Sequence, residues 1–418
     1  MNKCLLVFIT LAFAAGCAAV SRPDATKELI QQGNQLSLEN QYDNAIATYS
    51  KALEIDPKRY SAYVRRGVAY YYQGNYDSAL SDFIKAIKLD PKPADAYFGI
   101  ATVHAAKSKY DLAIAGYTKA IEYDAADVKF YVSRGLIYSQ IGSYDLALAD
   151  LTKAVALDPK LADAYSSRGE VYFHKGEYEL AISDYTRGIE LDPKDAAAYF
   201  NRGIAYAAQN RHDAAAADYD HAIAELSKAI ANDPGSAGYY EQRGSVYINK
   251  GQHELAIADF TKVIEMGYQN AASYLKRGSA YLVLNKPQLA IADFTKALEI
   301  DPKDAQALAG RGMAYLFNKQ YDLAIENLNQ ALEIDPRSAD AYNNRGAAYK
   351  FQGRYDHAFN DLSRAIELDP GHARAYDNRG NLYLVMKNYA KGCPDLKRAC
   401  ELGRCDNYTA SKKEGSCK

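Results

Sequence analysis

The 418-residue chain has no tryptophan and four methionines, so its aromatic packing falls to 37 tyrosines and 12 phenylalanines. It also lacks an excess of either charge, with 50 Lys plus Arg against 52 Asp plus Glu and no long run of one sign. That balance excludes the basic surface on which nucleic-acid binding depends. No segment reaches the roughly 20 consecutive apolar residues that a membrane-spanning helix needs. The seven histidines are scattered without metal-ligand or triad spacing, and no glycine-rich phosphate loop occurs. These absences leave no expected catalytic residue, cofactor or metal, and an enzyme is not the expectation.

What is present begins with a single early Lys3, an apolar stretch from Leu5 to Ala15 broken only by Thr10, then small residues and a cysteine. Residues 1–16 read as a secretory signal. The run Phe13-Ala14-Ala15-Gly16-Cys17 resembles the bacterial lipobox, with Ala14 where leucine is usual. The resemblance implies that Cys17 is lipidated, that residues 17–25 form a tether, and that Ala18 directs the protein to the outer membrane. Ala12-Phe13-Ala14 equally suits ordinary signal peptidase, which would leave a soluble periplasmic or secreted protein.

Downstream, one pattern recurs. Glycine or alanine stands at Gly33, Gly67, Ala101, Gly135, Gly169, Gly203, Gly244, Gly278, Gly312, Gly346 and Gly380, at intervals of 34 residues except for one of 41. Tyrosine precedes this ruler by four positions in nine repeats and follows it by three in nine. Alanine follows by twelve, as at Ala79, Ala147 and Ala324, and proline closes most units, as at Pro57, Pro91 and Pro302. Each unit reads as two short helices and a turn, too small to bury its own apolar face and stable only when stacked. The chain is similar to the tetratricopeptide (TPR) family, whose Trp-x2-Leu-Gly-x2-Tyr, Ala-x3-Phe and Pro signals appear here as a Tyr-x2-Arg-Gly-x2-Tyr variant over residues 26–406. The resemblance implies an all-α, right-handed α-solenoid of about eleven repeats with a concave groove that holds a protein or peptide partner. Repeats one to six span 26–236, repeats seven to eleven span 237–406, and 407–418 form a C-terminal cap.

Four features refine this picture. Nine repeats carry arginine just before the ruler, and sixteen residues later those repeats carry an acid, as in Arg66 with Asp82 and Arg277 with Asp293, or Asn327 in one case. The repeats lacking the arginine, at Gln32 and Ile100, lack the acid too, which predicts structural ion pairs, although copying by duplication gives the same pattern. In the N-terminal half, Val64, Val68, Tyr71, Phe98, Val132, Leu136, Phe173, Phe200 and Ile204 form a second face of the first helices. They line the groove that the family implies, or else join adjacent first helices. The 41-residue interval holds a heptad insertion across which the second helix of repeat six should continue in register. At the C-terminus Cys393, Cys400, Cys405 and Cys417 make an even set. An antiparallel return of the tail favours Cys393 with Cys417 and Cys400 with Cys405 among three pairings.

Overall fold

A computed structural model describes residues 24–268 and 270–417. The signal and the Cys17 lipidation site lie outside the described residues. Twenty-three helices follow one another with no strand among the described residues, from Ala25–Leu38 to Asp406–Lys413. They alternate as pairs, a first helix of 13 residues such as Tyr60–Tyr72 and a second of 14 such as Tyr76–Leu89. Among the described helices none is long and apolar enough to cross a membrane.

The helix ends follow from local chemistry. An aspartate before proline is pushed out of the helical region. At Asp56, Asp301 and Asp335 its carboxylate then accepts the backbone N–H two residues on, 3.0 Å away in each case, a turn that commits the chain to leave the helix. First helices often begin on a side-chain cap, as where Asp304 Oδ1 accepts from the N–H groups of Gln306 and Ala307.

The periodic small residues sit where helices cross. Ala45, Ala79, Ala113, Ala147 and Ala181 are fully buried. A Cβ built on Gly67 would stand 2.8 Å from the Phe83 ring, and one on Gly278 would stand 3.1 Å from the Phe294 ring. The ruler residue is therefore glycine because the large side chain sixteen positions later, a ring in some repeats and leucine in others such as Leu151 and Leu328, packs against its backbone. Repeat three reverses the arrangement. Its ruler is Ala101, and the glycine is Gly116 on the second helix, where an added Cβ would meet Ala101 Cβ at 2.8 Å.

The chain divides into two compact units, one ending at Asp218 and the other starting at Tyr219. In each, helices pack on their sequence neighbours, as Tyr60–Tyr72 on Tyr76–Leu89 and Ala271–Val283 on Pro287–Ile300, and buried clusters recur from repeat to repeat. The division falls inside one continuous 21-residue helix, His212–Asn232, which contains the heptad insertion. The C-terminal unit ends in the short helix Asp406–Lys413, anchored by disulfides Cys393–Cys417 and Cys400–Cys405. Asn407 Nδ2 also lies 2.8 Å from both carboxylate oxygens of buried Asp377.

Candidate functional site

The arginines before the ruler point between helices. Arg66 Nε and Nη2 donate to the two carboxylate oxygens of Asp82 at 2.7 and 2.9 Å. Arg277 does the same to Asp293 at 2.8 and 2.7 Å. Arg134, Arg168, Arg202, Arg243, Arg345 and Arg379 repeat this two-bond geometry on their own second helices. Arg311, facing an amide, makes one such bond, from Nε to Asn327 Oδ1 at 2.7 Å, and Asn327 Nδ2 turns to Leu323 O.

Each guanidinium also has a second partner residue that the sequence reasoning missed. Nη1 donates to a hydroxyl or amide oxygen on the preceding second helix, as in Arg66 to Ser50, Arg134 to Thr118 and Arg277 to Thr261. The signal was legible: sixteen residues before every one of these arginines stands Ser, Thr or Asn, and before Ile100 the same offset gives Ile84. One planar fork thus ties the two helices of its repeat to the repeat before, while tyrosines such as Tyr274 and Tyr281 flank it. With its donors used this way, the stripe is structural and presents no open row of cations to a phosphate.

The nine residues assigned to an N-terminal groove divide. Val64, Phe98 and Val132 are buried in repeat-to-repeat clusters. For those three the burial fits the second alternative, contact between adjacent first helices, as where the Phe98 and Phe130 rings lie 5.3 Å apart. Val68, Tyr71, Leu136, Phe173, Phe200 and Ile204 are half-buried. Lys129 crosses this face, bonded to Asp95 and Asp127 and set over the Phe98 and Phe130 rings. Burial works against its charge, but the two carboxylates outweigh that and hold its pKa above the ordinary value.

Open space on the first-helix face lies elsewhere, in the C-terminal unit. A cavity of about 690 Å³ is lined by Ser279, Leu282 and Val283, by Phe294, by Ala309, Gly310, Met313 and Phe317, and by residues of the following two repeats. It exists because repeat nine carries Ala309-Gly310 where its neighbours carry Leu275-Lys276 and Asn343-Asn344. Gly310 is required there, since a Cβ would come within 2.7 Å of the Phe294 ring. The walls Val283 and Phe317 are 64% and 47% exposed.

Polar groups collect at one rim. Asp335, Asp340, Ser338, Asn344 and Arg374 all line it. His372 Nδ1 accepts the Ala375 N–H, which leaves the proton on Nε2, 3.2 Å from Asp340 Oδ1. That hydrogen bond, with Arg374 nearby, holds the Asp340 carboxyl below its ordinary pKa against the opposing effect of burial. Asn344 accepts from Asn343 Nδ2 at 3.1 Å, and its own amide N–H groups donate to no other described residue. Among the described residues no three His, Cys, Asp or Glu side chains are grouped to hold a metal.

Family models described as TPR repeat match residues 33–74, 137–176, 169–210 and 318–353. Models described as tetratricopeptide repeat match 60–93, 271–304 and 339–372, then 294–326, and also 94–127, 196–225 and 237–266. Among solved structures, the hetero-tetramer of Cut9 and Hcn1 from the APC/C matches with a TM-score of 0.51 at 16% identity, over 94% of this chain and 97% of that one. Yeast Tom70 matches with a TM-score of 0.48 at 16% identity, over 94% and 95%. YrrB, described as a TPR protein with an unusual peptide-binding site, is 28% identical over 46% of this chain and 95% of its own, with a TM-score of 0.32. No curated protein matches the sequence. The first of these likenesses speaks to fold alone.

Proposed function

Because the chain is a tetratricopeptide-repeat protein, we propose that it is a non-catalytic adaptor that holds a partner protein or peptide against the face formed by its first helices. The observation that carries this reading is the cavity of repeats eight to eleven, with an apolar floor, exposed walls and a polar rim whose hydrogen-bonding groups are not all used internally. Such a site suits recognition: the floor supplies affinity and the rim orients what enters. Nothing in it resembles a nucleophile beside a base.

The adaptor works at the bacterial cell envelope, exported by residues 1–16 and tethered through a lipid on Cys17 to the periplasmic side of the outer membrane. The lipobox-like run supports this, as do the two disulfides, which belong in an oxidising compartment. Two experiments test the reading. A photo-crosslinking residue at Phe317, and another at Phe200, should capture a partner in living cells. No adduct from either would count against a partner on this face. Cys17→Ser should shift the protein from the membrane to the soluble fraction; unchanged fractionation and maturation would favour a soluble periplasmic or secreted binder of peptides or glycans.

A further inference from the structure

We infer that the repeat-nine cavity takes the large apolar side chain of an extended peptide segment whose neighbouring residue is lysine or arginine. The inference rests on the adaptor reading and names what that site selects.

The anchor follows from shape. Ala309 and Gly310 remove the side chains that close this position in the adjoining repeats, and Phe294, Leu282 and Met313 line the space left behind. At about 690 Å³ it has room for a phenylalanine or leucine side chain together with the backbone beside it. Filling it would cover the exposed faces of Val283 and Phe317.

The extended conformation follows from Asn344. Asn344 lines the cavity, and its amide N–H pair has no protein acceptor among the described residues. A helix offers few free carbonyls because its own ladder uses them, whereas an extended segment offers one at every residue.

The basic neighbour follows from charge. Asp335 and Asp340 are exposed and Arg374 is the one cation among the cavity's lining residues, so the rim carries a net −1. The Asp335 and Asp340 carboxylates therefore favour a cation beside the anchor and oppose an acid there.

The test is fluorescence polarisation on the full chain with a labelled peptide, Gly-Ser-Gly-Lys-Phe-Gly-Ser-Gly. Its binding should weaken roughly tenfold or more when alanine replaces the phenylalanine, and comparably when glutamate replaces the lysine. Ala309→Leu, which gives repeat nine the residue that repeat eight has at Leu275, should abolish binding. Val283→Lys, at an exposed wall where folding is not at stake, should weaken it as well. Asp340→Asn should erase the preference for lysine over glutamate while keeping that for phenylalanine over alanine. Unchanged binding in both Ala309→Leu and Val283→Lys overturns the inference. So does no binding of the probe up to about 1 mM, and if crosslinking from Phe317 still captures a partner, the adaptor reading survives that loss. Self-association or vesicle binding that Ala309→Leu abolishes, with peptide binding untouched, would assign the cavity to a second copy or a lipid and also overturn it.

Discussion

Removing one member of an arginine–aspartate pair should cost nearly as much as removing both. Consider Arg277 and Asp293, whose side chains are 15% and 7% exposed. Arg277 donates two bonds to the carboxylate and a third, at 2.9 Å, to Thr261 Oγ1. Arg277→Ala strands a buried carboxylate, a kind of change that costs about 3–5 kcal/mol for fully buried pairs. The partial exposure of the arginine lowers the expectation to about 3 kcal/mol. Asp293→Ala leaves the guanidinium its threonine and two tyrosine rings, so about 2–3 kcal/mol is expected. The double variant removes both charges and should cost about 3 kcal/mol, mostly lost packing, for a coupling of about 2–3 kcal/mol. The assay is native-state hydrogen exchange on helices Ala271–Val283 and Pro287–Ile300, because a stacked array loses stability locally and a single melting midpoint dilutes the effect. The cycle at Arg311 and Asn327, with one bond to a neutral amide, should show about 1 kcal/mol. Single costs that add to the double cost within about 0.5 kcal/mol would refute the ion-pair reasoning and leave the sequence correlation to duplication.

Four further outcomes follow. Asn327→Asp should restore the two-bond geometry of the other eight repeats and stabilise repeat nine by about 1 kcal/mol in urea unfolding; destabilisation would mean that desolvating the new carboxylate outweighs the bonds. In repeat three, Ile100→Arg alone should destabilise by about 1–3 kcal/mol for want of a partner, and Ile84→Thr, Ala101→Gly and Gly116→Asp together should recover it, with the glycine change needed to clear the 2.8 Å contact. Burial, reinforced by Asp195 and Asp192, raises the pKa of Asp163 above 3.8. The folded state therefore binds this proton more tightly than the unfolded state, and the stability that Asp163 contributes should rise as pH falls from neutrality through the folded pKa, levelling off below 3.8. Asp163→Asn should flatten that slope, and an unaltered slope would remove Asp163 as its source. Replacing Cys393 and Cys417 by serine opens a bridge 24 residues apart in sequence, worth about 3 kcal/mol in chain-entropy terms; limited proteolysis should then cut the Asp406–Lys413 helix while the repeats stay intact.

The sequence by itself determined what repeats. Pairing of helices, their ends at Asp-Pro, the ruler glycine and the arginine-to-acid offset are local or fixed-distance relations, copied at each turn of a 34-residue period and so legible from one chain. The Ser, Thr or Asn sixteen residues before each arginine was equally periodic and went unread, because a neutral hydroxyl carries no charge to betray a partnership. Only the tertiary structure decided which members of the first-helix face were spent on packing. Val64, Phe98 and Val132 differ little in character from Val68, Phe200 and Ile204, yet the distance between neighbouring helices buries the former set and leaves the latter half-exposed. The cavity at Ala309-Gly310 escaped for the same reason. A missing side chain becomes a site only when the rings, amides and carboxylates of adjacent repeats stand around the space it leaves, and that arrangement is fixed by how the repeats stack rather than by any one repeat's residues.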